Sequence, residues 1–309
     1  MTSIIVDCDP GHDDAVALLL ALASDEVQLL GVTTVAGNQT LKKTTANAIR
    51  VLDHVGRDTI PVAAGTDGPL VRELRVADDI HGKTGLDGVD LPVATRAPEP
   101  VHAIDWIAAT VSSAKTPVTL VATGPLTNVA LFMVRYPELA EQLERIVIMG
   151  GAIGEGNVTP AAEFNIWTDP EAARRVFSGS IDLTMAGLDV THKVLLTPTH
   201  LDALAAAGET GRLVADLYRF FLTVHVEHYG WEGAPVHDAV AVAHVIDGTL
   251  LETVHCGVRI DTGPSEFSRG RTNVDRWGRM GWEPNCHVAT DIDADRFISL
   301  LVRRLSSSP

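Results

Sequence analysis

Residues 3–15, SIIVDCDPGHDDA, limit what this chain can fold into more than any other stretch. Ile4, Ile5 and Val6 form an apolar run without polar alternation, as in a strand buried on both faces of a parallel sheet. Pro10 and Gly11 stop that strand. From Asp13 the spacing changes, and Ala15, Val16, Leu18, Leu19, Leu20 and Leu22 suit a helix lying on a sheet. Asp7, Asp9, Asp13 and Asp14 therefore gather at the carboxyl end of a first strand and in the first turn of the next helix, where open α/β sheets bind their ligands.

Carboxylates this close cannot all stay ionised without compensation, and a cation is the simplest source of it. An all-oxygen set suits Ca²⁺ or Mg²⁺ rather than zinc, which favours histidine and cysteine. Stabilisation by the helix dipole explains Asp13 and Asp14 but not Asp7 and Asp9 as well.

Further along, Val27–Val35 reads as a second buried strand ending at Ala36-Gly37-Asn38, followed by a helix over 40–54 and a short strand over 61–64. Residues 67–100 lose periodicity around HGKTGLDG and form a long loop, in which His81 is either a site residue or a plain loop histidine. A helix over 99–113 leads to a strand over 118–122 that ends in TGPLTN. The strand over 145–149 runs into GGAIGEGN, which lacks the glycine spacing of a dinucleotide-binding turn and reads as a flexible loop. Glu163 and Asn165 share a side if that segment is extended. Asp169-Pro170 starts a helix, a strand over 181–186 ends in GLDVTH, and Thr197-Pro198 caps a helix. A long helix over 209–229 follows, then PVHDA opens a helix through Ile246. The tail returns to a strand over 254–261, an arginine-rich loop and a closing helix over 293–305. Alternating strands and helices predict one α/β domain, 1–309, with a mostly parallel, Rossmann-like central sheet flanked by helices.

A formal charge of -16 with no basic stripe argues against nucleic acid and polyanionic partners. The three cysteines, Cys8, Cys256 and Cys286, show no CxxC spacing and imply reduced thiols, with Cys8 between two acids the one candidate for reactivity. The N-terminus has no basic leader and no apolar run reaches membrane-spanning length, so the expectation is a soluble, cytoplasmic protein.

Together DCDPGHDDA, AGNQT, HGKTGLDG, ATGPLTN, AEFN, GLDVTH and PVHDA resemble the nucleoside hydrolase family, in its inosine/uridine and pyrimidine-preferring branches, over residues 3–245. The resemblance implies the nucleoside hydrolase fold and a tightly held Ca²⁺ with Asp9, Asp14, Asp238 and the Thr123 carbonyl as protein ligands. It implies Asp9 as general base and His237 as the leaving-group acid. Asp13 and Asn165 would hold ribose hydroxyls, Asn157 and Glu163 the 5′ end, and Asn38 would buttress the ribose and Asp13. His81, Phe164 and Tyr229 would face the ribose or base, with His225 near Tyr229. The implied reaction is hydrolysis of the N-glycosidic bond of ribonucleosides, uridine and cytidine foremost, by a homodimer or homotetramer. Broad or purine-accepting specificity, a phosphohydrolase built on Asp7-Cys8-Asp9, and a non-catalytic nucleoside or Ca²⁺ binder are the competing readings.

Overall fold

The computed structural model describes residues 1–307. Its strands are β1 (Thr2–Cys8), β2 (Val27–Thr34), β3 (Val62–Ala64), β4 (Val118–Ala122), β5 (Leu143–Met149), β6 (Leu183–Ala186), β7 (Leu195–Leu196), β8 (Ala234–Pro235), β9 (Leu251–Ile260), β10 (Thr272–Asp275) and β11 (Cys286–Ile292). A nine-stranded sheet has the order β10-β9-β11-β6-β5-β4-β1-β2-β3, and β7 pairs with β8 in a separate small ribbon. From β3 across to β6 every pairing is parallel, and β11 joins β6 in parallel. Only β9 runs the other way, pairing antiparallel with β11 on one side and with β10 on the other.

The apolar run of β1 explains why it lies inside the sheet. Ile4, Val6 and Cys8 face one apolar layer, with the helices His12–Leu22 and His237–Ile246, while Ile5 faces the other, with the helices Ala103–Ser113 and Thr127–Arg135. Each fully buried Ile or Val there contributes about 1.5–3 kcal/mol. Strand order reverses between β1 and β4, because β2 follows β1 on one side and β4 lies on the other. At such a switch point the loops leaving the two strands diverge and open a crevice.

The sequence reading placed the parallel strands and most helices within a few residues. It missed β10 and β11, which it covered with a loop and the approach to the closing helix, observed at Ala294–Ser307. β11, CHVATDI, mixes His, Thr and Asp among its apolar residues, and β10 has only four residues, so neither carries a period long enough to read. The segment around Glu163 and Asn165 is not extended: Glu163 caps the short helix Phe164–Thr168. Nor is GGAIGEGN held loosely. Gly151 N–H donates to Glu163 Oε2, Ile153 and Gly154 N–H donate to Asp189, and Thr272 Oγ1 bonds both backbone groups of Ala152. Among the described residues no helix is long and apolar enough to cross a membrane.

Candidate active site

A cavity of about 690 Å³, within the usual range for small-molecule sites, opens over the carboxyl ends of β1, β2 and β4. Asp13, Asn38, Thr123 and Asp238 line it on one side, Asn157, Glu163, Phe164 and Asn165 on another, and His81, His237 and Tyr229 also face it. Residues far apart in the sequence thus share one space. Asp9 and Asp14 do not line it; both are fully buried.

The buried acids are held by a dense set of donors. Asp14 accepts from Gly11 N–H at 2.9 Å, Asn38 Nδ2 at 3.1 Å and Thr123 Oγ1 at 2.8 Å. Asp9 Oδ2 accepts the Asn38 backbone N–H at 2.6 Å. Asn38 therefore braces Asp9 and Asp14, where the resemblance implied Asp13. The contact leaves no room for side chains: a Cβ at Gly37 would sit 2.1 Å from Asp9 Oδ2, and one at Gly124 2.7 Å from Asp9 Oδ1. These two glycines let backbone pass against the carboxylate.

Of the three carboxylate oxygens of the first motif that lack such a partner, Asp7 Oδ2 belongs to a residue that does not line the cavity, and the other two belong to this site. Asp9 Oδ1 and Asp13 Oδ1 are buried without a hydrogen bond among the described residues, a costly arrangement unless a ligand fills it. Asp13, Asp14 and Asp238 each offer an oxygen within 4.8 Å of the others'. Burial raises the carboxyl pKa throughout: Asp9 and Asp238 go well above the usual range and Asp13 reaches about 8, each with a further push from neighbouring carboxylates. Such groups carry protons unless a cation takes their place, and the donors are all oxygen, which fits a hard divalent metal ion.

Asp7 belongs to a different arrangement. It is fully buried, its Oδ1 accepts from Thr33 Oγ1 at 2.5 Å and Asn128 Nδ2 at 2.8 Å, and it does not line the cavity. Of the four acids in the first motif, it serves the junction of β1, β2 and the helix Thr127–Arg135. Cys8 is buried, with its thiol directed to the Thr33 carbonyl, and burial raises its pKa well above the usual value, so it is no nucleophile.

On the opposite wall Asn165 Nδ2 donates to the Thr123 carbonyl at 2.7 Å and to Met149 O at 3.1 Å, fixing the amide. Glu163 receives three backbone N–H bonds, from Gly151, Asn165 and Ile166, yet burial pushes its carboxyl up to about 7. Asn157 Oδ1 is occupied by Phe164 N–H, which leaves its amide N–H₂ for a ligand.

The third wall is aromatic. His237 begins the helix His237–Ile246, with Nδ1 2.8 Å from Thr191 Oγ1 and its ring edge-on to His192 at 5.4 Å. Tyr229, 46% exposed at the end of the helix Glu209–Tyr229, lies 5.1 Å from the Trp231 ring, and His225 lies 5.7 Å from each. His81 is no plain loop histidine: it lines the cavity with Nδ1 3.2 Å from His12 Nδ1, while His12 Nε2 meets the Asp87 carbonyl at 2.8 Å. Sequence reasoning gave no role to His192, Trp231, Phe221, Met149, Trp167 or Arg75, all of which also line the cavity. His192 stood in the quoted segment GLDVTH and Trp231 two residues past Tyr229, so nearness to a motif residue was the only available signal.

Comparison with known proteins adds to this geometry. The family described as inosine-uridine preferring nucleoside hydrolase matches residues 4–299. A pyrimidine-specific ribonucleoside hydrolase of Salmonella arizonae is 48% identical over 304 residues, covering 98% of this chain and 97% of its own. Among solved structures, a plant nucleoside hydrolase superposes with a TM-score of 0.93 at 33% identity, over 99% of each chain. A purine-preferring ribonucleoside hydrolase from Gardnerella vaginalis has the same TM-score at 32% identity, over 99% of this chain and 98% of its own.

Proposed function

The chain belongs to the inosine-uridine preferring nucleoside hydrolase family and is an N-glycosyl hydrolase of ribonucleosides; on that premise we propose that it cleaves uridine and cytidine ahead of purine ribosides, with Ca²⁺ as resident ion. The observation that carries this is the pair of unpartnered buried oxygens, on Asp9 and Asp13, beside a cavity walled by amides on one side and histidines on another. The identity of 48% with a pyrimidine-specific enzyme supports the base preference.

Asp9, Asp14, Asp238 and the Thr123 carbonyl would hold the ion. An ion held there would supply a lowered pKa for a neighbouring water and positive charge beside the ribose hydroxyls. Asp13 and Asn165 Oδ1 would accept from those hydroxyls, since both Asn165 amide hydrogens already go to carbonyls, and Asn157 and Glu163 would take the 5′ end, which aligns C1′ for attack. Asp9 takes the proton of the attacking water as its oxygen bonds to C1′ and the C1′–N bond breaks. Positive charge develops on the ribose ring, and the surrounding carboxylates stabilise it. His237 meets the departing base, which gathers the electrons of the broken bond and needs a hydrogen-bond donor there. His81, Phe164 and Tyr229 enclose the ribose and base. We place the enzyme in the cytoplasm, a reading supported by its three free cysteines, and as a homodimer or homotetramer on the strength of the family resemblance.

Base preference is tested by turnover of uridine, cytidine, inosine, adenosine and thymidine. Uracil and cytosine release well ahead of hypoxanthine supports the proposal; inosine cleaved as fast as uridine would replace it with broad specificity. Removal of the ion is expected to lower uridine turnover by about 10²-fold or more, since several kcal/mol of charge stabilisation go with it, and Ca²⁺ should restore it. Chelation should also lower the unfolding midpoint, because an ion held at 100 times its Kd stabilises the fold by about 2.7 kcal/mol. A midpoint and a rate both indifferent to chelator would remove the metal from the account.

A further inference from the structure

We infer that Thr191 is a positioning residue that fixes the proton of the His237 ring on Nε2, the nitrogen left for the departing base. The inference rests on the reading of His237 as the group that meets that base. Thr191 ends the short helix Leu188–Thr191, which follows β6, and is 0% exposed. Its Oγ1 lies 2.8 Å from His237 Nδ1 and has no other hydrogen-bond partner among the described residues. A helical threonine hydroxyl often donates to the carbonyl four residues back, but here that carbonyl, of Gly187, accepts the N–H groups of Val190 and Thr191.

The direction of the bond follows from counting protons. A buried hydroxyl has one proton to place, and leaving a donor unpaired in the interior is costly, whereas an oxygen lone pair without a donor costs less. Were Nδ1 protonated, the Thr191 proton would have no acceptor. The hydroxyl therefore donates, Nδ1 accepts, and the ring proton of neutral His237 sits on Nε2. Nε2 makes no hydrogen bond within the described protein, and His237 lines the cavity, so an N–H donor faces the space where the base departs. The other tautomer would present a lone pair there and repel the negative charge that builds on the base.

The test reads the ring directly. Nitrogen-15 spectra of the histidine side chains in the full-length protein, with the His237 signals identified by their loss in His237→Asn, should show Nδ1 bare and Nε2 protonated; Nδ1 protonated overturns the inference. The spectrum is taken without substrate, so it decides the tautomer independently of the proposed reaction. In kinetics, Thr191→Val should lower kcat on uridine by about tenfold, the worth of one hydrogen bond, with KM changed by less than about twofold. Turnover of p-nitrophenyl riboside should hold within about twofold, because its phenolate departs unaided. Thr191→Ser should recover the uridine rate. Equal losses on both substrates, or no recovery with serine, would make Thr191 a packing residue and nothing more.

Discussion

Asp9→Asn is expected to cut uridine turnover by about 10²–10⁴-fold, the usual worth of a general base, while ribose still binds. Asparagine is the informative replacement because of how Asp9 is held. Oδ2 is pinned by the Asn38 backbone N–H at 2.6 Å and walled in by Gly37, and an amide oxygen can accept that bond in the same place. Oδ1 is the oxygen without a partner, and there the amide nitrogen can neither accept a proton nor ligate a cation. The substitution thus keeps shape and removes both the basic oxygen and one proposed ligand of the ion. Steady-state rates with uridine and calorimetric titration with ribose check the two halves; a variant that turns over at the wild-type rate removes Asp9 from the chemistry.

His237→Ala carries the second large effect, and its diagnostic is the leaving group. Uridine must release a base that gathers negative charge, so loss of the donor should cost about 10²–10⁴-fold in kcat. p-Nitrophenyl riboside releases a stable phenolate and should lose less than about tenfold. The neutral ring that burial enforces makes this a demand on hydrogen bonding in the transition state rather than on a standing positive charge. Equal losses on both substrates would assign His237 to positioning of the ribose.

What the sequence disclosed and what it hid divide along a physical line. The first motif was legible because strand, turn and helix start are all local, and local order alone brings Asp9, Asp13 and Asp14 together. Its fourth acid was misleading for the same reason: alternation along β1 turns Asp7 with Ile5 toward the other layer, where Thr33 and Asn128 take it up. The meeting of Asp238 with Asp13 and Asp14 joins residues more than 200 positions apart, and only the family resemblance pointed to it. Glu163 and Asn165 were found as a pair for a wrong reason, since one caps the short helix that carries the other. Asn38 was found without its true contacts, because which acid a turn amide reaches depends on how β1 and β2 pair. β10 and β11 stayed hidden because each pairs through tertiary contact and has too little apolar pattern of its own.

The most direct test of the account is reversed-phase chromatography of uridine incubated with the purified protein and Ca²⁺, in buffer free of phosphate, with ribose assayed in parallel. The account predicts uracil and ribose appearing in equal amounts, as water alone completes the cleavage. No free base from uridine, cytidine, inosine or adenosine under those conditions would contradict it, and tight binding of uridine without turnover would make the cavity a binding site only.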